Sequence, residues 1–189
     1  TVGHKVLVAG STWPADETFL HKVLVKLPHD WKLILVPHEV DGTHIAAIEK
    51  VFGNRIVKWS AWTDGQMNKR VLLVDKVGLL LHLYRYGTVA WIGGGFDKDG
   101  VHNVLEAAVY GIPCFYGPVY DRFIEAKELI AKGGGFTIVS PQDMIASLQE
   151  LEDALRYEQH AVAAREYVLS SGGATSKILT YLGGLLSDK

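Results

Sequence analysis

The chain has 189 residues, 48% of them apolar, enough to bury one α/β core or two small ones. With 19 Lys and Arg against 21 Asp and Glu, the formal net charge is −2, which gives no general electrostatic attraction to nucleic acid. Its one cysteine, Cys114, excludes an internal disulfide and reads as a small buried hydrophobe of a reducing compartment. No run approaches the roughly 18 apolar residues that span a bilayer, and no signal-peptide pattern opens the chain. Thr1-Val2-Gly3 leads into a strand without an initiator methionine, and the expectation is a piece of something longer.

Strand and helix patterns then alternate. Residues 5–9 read as a buried strand, followed by Gly10-Ser11-Thr12-Trp13-Pro14-Ala15-Asp16-Glu17, where a hydroxyl cap, an early proline and two acids announce a helix to about Leu27. Residues 32–36 are a second strand stopped by Pro37, and Asp41 or Thr43 caps a helix ending at Gly53. A weaker strand over 55–59 precedes a polar loop over 60–69. Then come a strand over 70–74, an apolar helix over 77–86 and a strand over 89–92. Beyond the Gly93-Gly94-Gly95 loop, the pattern predicts a helix over 102–110, a strand over 112–116, a helix over 121–132 and a strand over 136–139. Ser140 caps a helical tail, and Gly172-Gly173 separates it from a last helix near 175–186. Strands rich in Val, Ile and Leu without clean alternation imply burial on both faces. The fold class is therefore α/β, a Rossmann-like doubly wound parallel sheet with helices on both faces and helices at the C-terminus, forming one domain over residues 1–189.

In such a sheet, ligands bind beyond the carboxyl ends of the strands. The loops there begin at Gly10, Pro37, Trp59, Asp75, Gly93 and Gly117. The Gly93 loop is the most loaded. Its glycines permit close backbone approach, and the predicted helix start beyond it offers N–H groups to a phosphate. His102, Asn103 and Glu106 place polar groups on the first turn of an otherwise apolar helix, with Glu106 in reach of ribose hydroxyls. The same spacing suits a plain cap and capping box. Gly10-Ser11-Thr12 and Pro37-His38 are the other two candidates, although a hydroxyl pair also caps helices and a lone histidine is commonly surface. Trp13 and Trp91 read as packed near the sheet edge, and Trp59 and Trp62 lie on the polar loop. The histidine spacing matches no zinc motif, and no metal site is read.

These residues resemble the C-terminal, donor-binding domain of the 3-deoxy-D-manno-octulosonic acid (Kdo) transferases of lipopolysaccharide synthesis. The resemblance covers most of the chain. It is carried by Gly10-Ser11-Thr12-Trp13 with Asp16-Glu17, by Pro37-His38, by Asp75 with Gly78, and above all by residues 93–118 with their His102-Asn103-Val104-Leu105-Glu106 run. Residues 123–125 and the closing Gly172-Gly173-Ala174-Thr175 also fit. It implies the C-terminal half of a GT-B fold, with CMP-Kdo as donor substrate, no cofactor, no bound metal and inversion at the anomeric carbon. It implies transfer to a lipid A precursor, the acceptor and the glutamate base being held by an N-terminal domain that this chain lacks. It further implies a place at the cytoplasmic face of the bacterial inner membrane for the full-length protein, with this piece soluble and inactive alone. By the same analogy Glu106 holds the ribose; Asn103 and the Gly94-Gly95 backbone, with the helix start at His102, hold the phosphate. Pro37 and Gly78 face the cytosine, and Ser11 and Thr12 line the cleft.

Three positions depart from the family pattern. His38 stands where an Arg is common, Leu79 where an acid is, and Gly95 where a serine often ends the glycine triplet. A second reading is another GT-B enzyme or epimerase using a UDP-sugar, for which Lys98 and Arg122 are the nearby cations. A third is a non-catalytic nucleotide-binding module.

Overall fold

The computed structural model describes residues 3–66, 68–173 and 178–182. Seven parallel strands form one sheet in the order β3-β4-β2-β1-β5-β6-β7. They are β1 (Lys5–Thr12), β2 (Trp31–Pro37), β3 (Ile56–Lys58), β4 (Val71–Leu73), β5 (Val89–Ile92), β6 (Cys114–Tyr116) and β7 (Gly135–Thr137). The chain runs from β1 through β2 to the edge strand β3, steps back to β4, then crosses to begin again at β5 on the other side of β1. That reversal defines the switch point between β1 and β5, where the loops leaving two neighbouring strands part to opposite faces.

Alternation along β1 builds two cores. Leu7 and Ala9 face one layer with Leu33, Leu35, Val71, Leu73, Trp91 and Phe115, whereas Val6 and Val8 face the other with Ala90, Ile92, Cys114 and Tyr116. The first layer is covered by α1 (Pro14–Lys26), α2 (Gly42–Phe52) and, later in the chain, α6 (Pro141–Glu150). The second is covered by α3 (Leu80–Leu83), α4 (Leu105–Ala108), α5 (Ile124–Lys132) and α7 (Ala154–Ser171). Each fully buried leucine contributes about 1.5–3 kcal/mol of hydrophobic stabilisation, so Leu35→Ala, at a position with no exposure, would cost about 2–5 kcal/mol. Cys114 is buried as anticipated, and burial pushes its thiol well up. Trp91 is not near an edge: β5 adjoins central β1, and the indole has no exposure.

Several boundaries differ from the sequence reading. Strand β1 continues to Thr12 through an irregularity at Ser11, so no hydroxyl caps α1; Trp13 occupies the cap position. The predicted helix over 102–110 shrinks to the single turn α4: it starts only after the Asn103 side chain takes the Leu105 N–H, and a tight turn closes it through Tyr110 N–H to Ala107 O and Gly111 N–H to Ala108 O. The 77–86 helix likewise reduces to α3 and a 3-10 turn. Asp41 caps α2, and Ser140 with Asp143 forms a capping box on α6. The helix anticipated near 175–186 lies largely outside the described residues, of which 178–182 are helical. No helix among the described residues is long and apolar enough to cross a membrane.

Candidate functional site

The switch point is held together by one carboxylate. Asp16, fully buried at the third position of α1, accepts from the Trp13 N–H (3.0 Å), the Gly94 N–H (3.0 Å) and the Trp91 indole (3.0 Å). It ties the turn after β1 to the glycine loop after β5 and to the core between them. Burial raises its pKa, against the pull of these three donors. Beside it, buried Glu17 accepts from Thr12 Oγ1 at 3.1 Å and pairs with His44 Nε2 at 2.9 Å, while His44 Nδ1 lies 3.0 Å from the Glu39 carbonyl. A carbonyl only accepts, so His44 Nδ1 carries a proton and one further proton lies between Nε2 and Glu17. Burial raises Glu17 as well, opposed by His44. From the sequence, these acids read as helix-start signals. Their burial beside a strand end is what makes them joints of the site.

The glycines are explained by protein, not by open space. A Cβ on Gly93 would lie 2.1 Å from the Ser11 carbonyl oxygen, and one on Gly95 would lie 2.5 Å from the Gly117 nitrogen. Gly94 has φ +89°, and its Cβ would lie 2.4 Å from the Gly100 carbonyl oxygen. The loop is thus pressed between the β1 turn, the 97–100 turn and the loop after β6. This corrects the expectation that Gly94 offers its N–H to a phosphate, because Asp16 already takes it. It also corrects the helix-dipole argument, since α4 has only 4 residues and carries little dipole.

Over this base sits an aromatic group. Trp13 Nε1 donates to His102 Nε2 at 2.9 Å; the His38 ring stacks on His102 with centroids 4.4 Å apart and lies tilted against Trp13 at 4.8 Å. His38 is held from its backbone, whose N–H donates to Thr12 O at 3.0 Å. Burial, reinforced by His38, lowers the His102 pKa. Ser11 lies at the base of this group with φ 53°, the one non-glycine residue with positive φ that the backbone carries among the described residues. Strain of that kind concentrates at functional sites. Sequence reasoning missed Trp13 as a site residue; the signal available was its place directly after a strand-end Gly-Ser-Thr turn.

His102 and Asn103 line a cleft of about 530 Å³ together with Asp99, Phe123 and Glu125, facing the N-terminus of α5. Asn103 Oδ1 accepts from Leu105 N–H at 3.1 Å, and its amide donates to Glu106 Oε1 at 3.2 Å. Glu106 is also near Tyr84, whose phenol is pushed up by burial first, then by Cys114 and Glu106. Tyr84 and Leu80 in turn lie directly against Gly10. Of the predicted residues, Ser11, Thr12, Pro37, His38, Gly94, Gly95, His102, Asn103 and Glu106 therefore gather around the carboxyl ends of β1, β2 and β5. Gly78 sits exposed at φ +84°, with open space where a Cβ would stand, on a loop whose Asp75 is engaged by the Ser60 N–H and hydroxyl. No group of three or more His, Cys, Asp or Glu placed to hold a metal ion occurs among the described residues.

A doubly wound parallel sheet with a cleft beyond the carboxyl end of β5 is the architecture of one Rossmann-like half of a GT-B glycosyltransferase. The chain shares this fold with the C-terminal CMP-Kdo binding domain of WaaA from Acinetobacter baumannii, with a TM-score of 0.79 and 22% identity over 88% of this chain and 90% of that one. No protein-family model matches the chain. Among curated proteins it is 31% identical over 183 residues to the 3-deoxy-D-manno-octulosonic acid transferase of Aquifex aeolicus, covering 95% of this chain and 50% of that protein. It is 27% identical over 177 residues to the transferase of that name from Rickettsia prowazekii, covering 87% and 37% respectively. By sequence the chain belongs with the Kdo transferases, and it spans half or less of the length of these two relatives.

Proposed function

We propose that this chain is the donor-binding half of a Kdo transferase, which takes Kdo from CMP-Kdo and passes it to a lipid A precursor. The observation that carries this reading is the convergence of the β1 turn, the Pro37-His38 turn and the His102-Asn103-Glu106 run at one switch point, in a chain related to Kdo transferases over most of its length. In this reading Glu106, near buried Tyr84, holds the ribose hydroxyls, and His102 and Asn103 on the cleft side hold the phosphate. As the bond from the anomeric carbon to CMP breaks, negative charge grows on that phosphate, and fixed donors lower the barrier by meeting it there. The acceptor, its base and the contact with the cytoplasmic face of the inner membrane belong to the other half of the enzyme. The reaction inverts at the anomeric carbon and proceeds without a metal.

Calorimetric titration with CMP, CMP-Kdo, UDP and NAD tests this reading. Cytidine-selective binding is expected, and a dissociation constant of about a millimolar, some 4 kcal/mol, suffices for a half-site. Glu106→Ala should weaken it about tenfold through the lost ribose contact. Preference for UDP would move the assignment to a UDP-sugar enzyme, and selective NAD binding would overturn the glycosyltransferase reading.

A further inference from the structure

The Trp13–His102 hydrogen bond fixes more than geometry. An indole N–H can only donate, so His102 Nε2, 2.9 Å away, must accept and carry no proton. A neutral imidazole whose Nε2 accepts holds its proton on Nδ1. The ring's orientation then decides where that proton points. Its Cδ2 edge faces the glycine loop, 3.0 Å from where a Cβ on Gly94 would sit, and Nε2 faces Trp13. In a five-membered ring Nδ1 lies opposite that Cδ2–Nε2 edge, directed away from both partners. No other described residue takes up Nδ1. His38 covers the ring face at 4.4 Å, and Trp13 is itself anchored through its backbone N–H to buried Asp16. One donor is left over, on a side chain that lines the cleft beside Asn103.

We infer that Trp13 is a positioning residue: it holds His102 as the Nδ1–H tautomer, so that the imidazole presents one fixed N–H to an anionic phosphate oxygen in the cleft. This deepens the donor-site reading and rests on it. The ligand chemistry is a phosphate monoanion or diester, to which a neutral N–H donates without having to give up a proton. Trp13 acts only through His102, and its indole need not touch the ligand. A tryptophan thus stands at a helix cap position where a short polar residue is usual, and its side chain makes no cap hydrogen bond but reaches His102 instead.

Histidine tautomers are read directly from two-bond nitrogen–proton correlation spectra of the nitrogen-15-labelled chain at about pH 8, where free imidazole is neutral. His102 should appear as the Nδ1–H form in the ligand-free protein. Trp13→Phe keeps an aromatic ring for His38 to pack against but removes the donor, and should shift His102 toward the Nε2–H form. The same variant should weaken CMP about tenfold. In a His102→Asn background, whose amide supplies a donor at the Nδ1 position without needing a partner, Trp13→Phe should change CMP affinity less than twofold. An Nε2–H signal for His102 in the unaltered chain would overturn the inference, as would additive losses in the double variant. If the tautomer is as stated but neither CMP nor inorganic phosphate binds, the phosphate role of His102 falls together with the donor-site reading, while the Trp13–His102 pairing stands.

Discussion

The chain contains two three-glycine runs, Gly93-Gly94-Gly95 and Gly133-Gly134-Gly135, and they do different work. The second ends a helix and seats another. Gly133 caps α5 in the left-handed region at φ +87°, a Cβ on Gly134 would lie 2.6 Å from the Ala164 α-carbon of α7, and one on Gly135 would lie 2.6 Å from the Tyr116 hydroxyl. The first run lets three loops meet at the switch point, and its neighbours are Ser11, Gly100, His102 and Gly117. Both runs exist because backbone must approach backbone. The first sits where three strand-end loops converge beside His102, the second between α5, α7 and β6 beside His160 and the Tyr116 hydroxyl, and the difference lies in that position.

Alanine substitutions separate the two runs most sharply. Gly93→Ala places a methyl 2.1 Å from a carbonyl oxygen that is itself held in a strained turn, so the loop and β1 must part. We expect a loss of more than about 3 kcal/mol, beyond the usual range for overpacking, together with loss of CMP binding. Gly134→Ala pushes against α7, a helix able to shift outward as a unit, and should cost about 1–3 kcal/mol. Thermal unfolding and titration below the transition would show CMP affinity unchanged in that variant. A loss of affinity in Gly134→Ala equal to that in Gly93→Ala would break the distinction.

That distinction was only partly legible in the sequence. The punctuation was legible: strand, glycine loop, strand-end turns and the order of elements give a doubly wound sheet, because apolar runs bounded by glycine and proline report the backbone path. The gathering of Ser11, Thr12, His38 and His102 followed from the rule about carboxyl ends. Trp13 and Asp16 did not follow. Asp16 looks like an ordinary helix-start acid and Trp13 reads as packed near the sheet edge, and their roles come from contacts 78 and 89 positions away along the chain. Gly78 has the positive φ of a site glycine and sits exposed on a loop tied to Ser60 through Asp75. The length of the helix beyond the loop was misread because Val109, Tyr110 and Gly111 suit a helix end and a tight turn equally well.

Ser11 sharpens the comparison on the β1 side. Its carbonyl meets Gly93, and it holds φ 53° without being glycine. A left-handed non-glycine residue costs roughly 1–2 kcal/mol, whereas glycine adds about 0.5–1 kcal/mol of unfolded-state entropy to be lost. Ser11→Gly should therefore stabilise the protein by up to about 1 kcal/mol in denaturant unfolding. If the hydroxyl lines the donor cleft, the same change should weaken CMP-Kdo two- to fivefold, a gain in stability set against a loss of function. Stabilisation with unchanged binding would leave Ser11 a purely structural turn, like the glycines at 133–135.

The smallest effect is electrostatic and belongs to the Gly94 neighbour, His102. Burial, with His38 adding to it, lowers its folded-state pKa below the ordinary 6.5. As pH falls the unfolded chain takes up the proton first, so unfolding becomes easier. The stability contributed by the neutral ring is complete above 6.5 and is lost as pH falls through the lower folded value. His102 is only partly buried, and solvent screening keeps the effect modest. His21, lowered by its own burial and by Arg55, adds a similar slope in the same window. Comparing the unaltered chain with His102→Asn removes that background, because His21 is present in both. Melting temperatures taken from about pH 7.5 to about pH 5 should fall less steeply in the variant. Parallel curves would mean that His102 is as free to titrate in the fold as in the unfolded chain, and the glycine loop at 93–95 would then lack the protected, neutral imidazole that sets it apart from its counterpart.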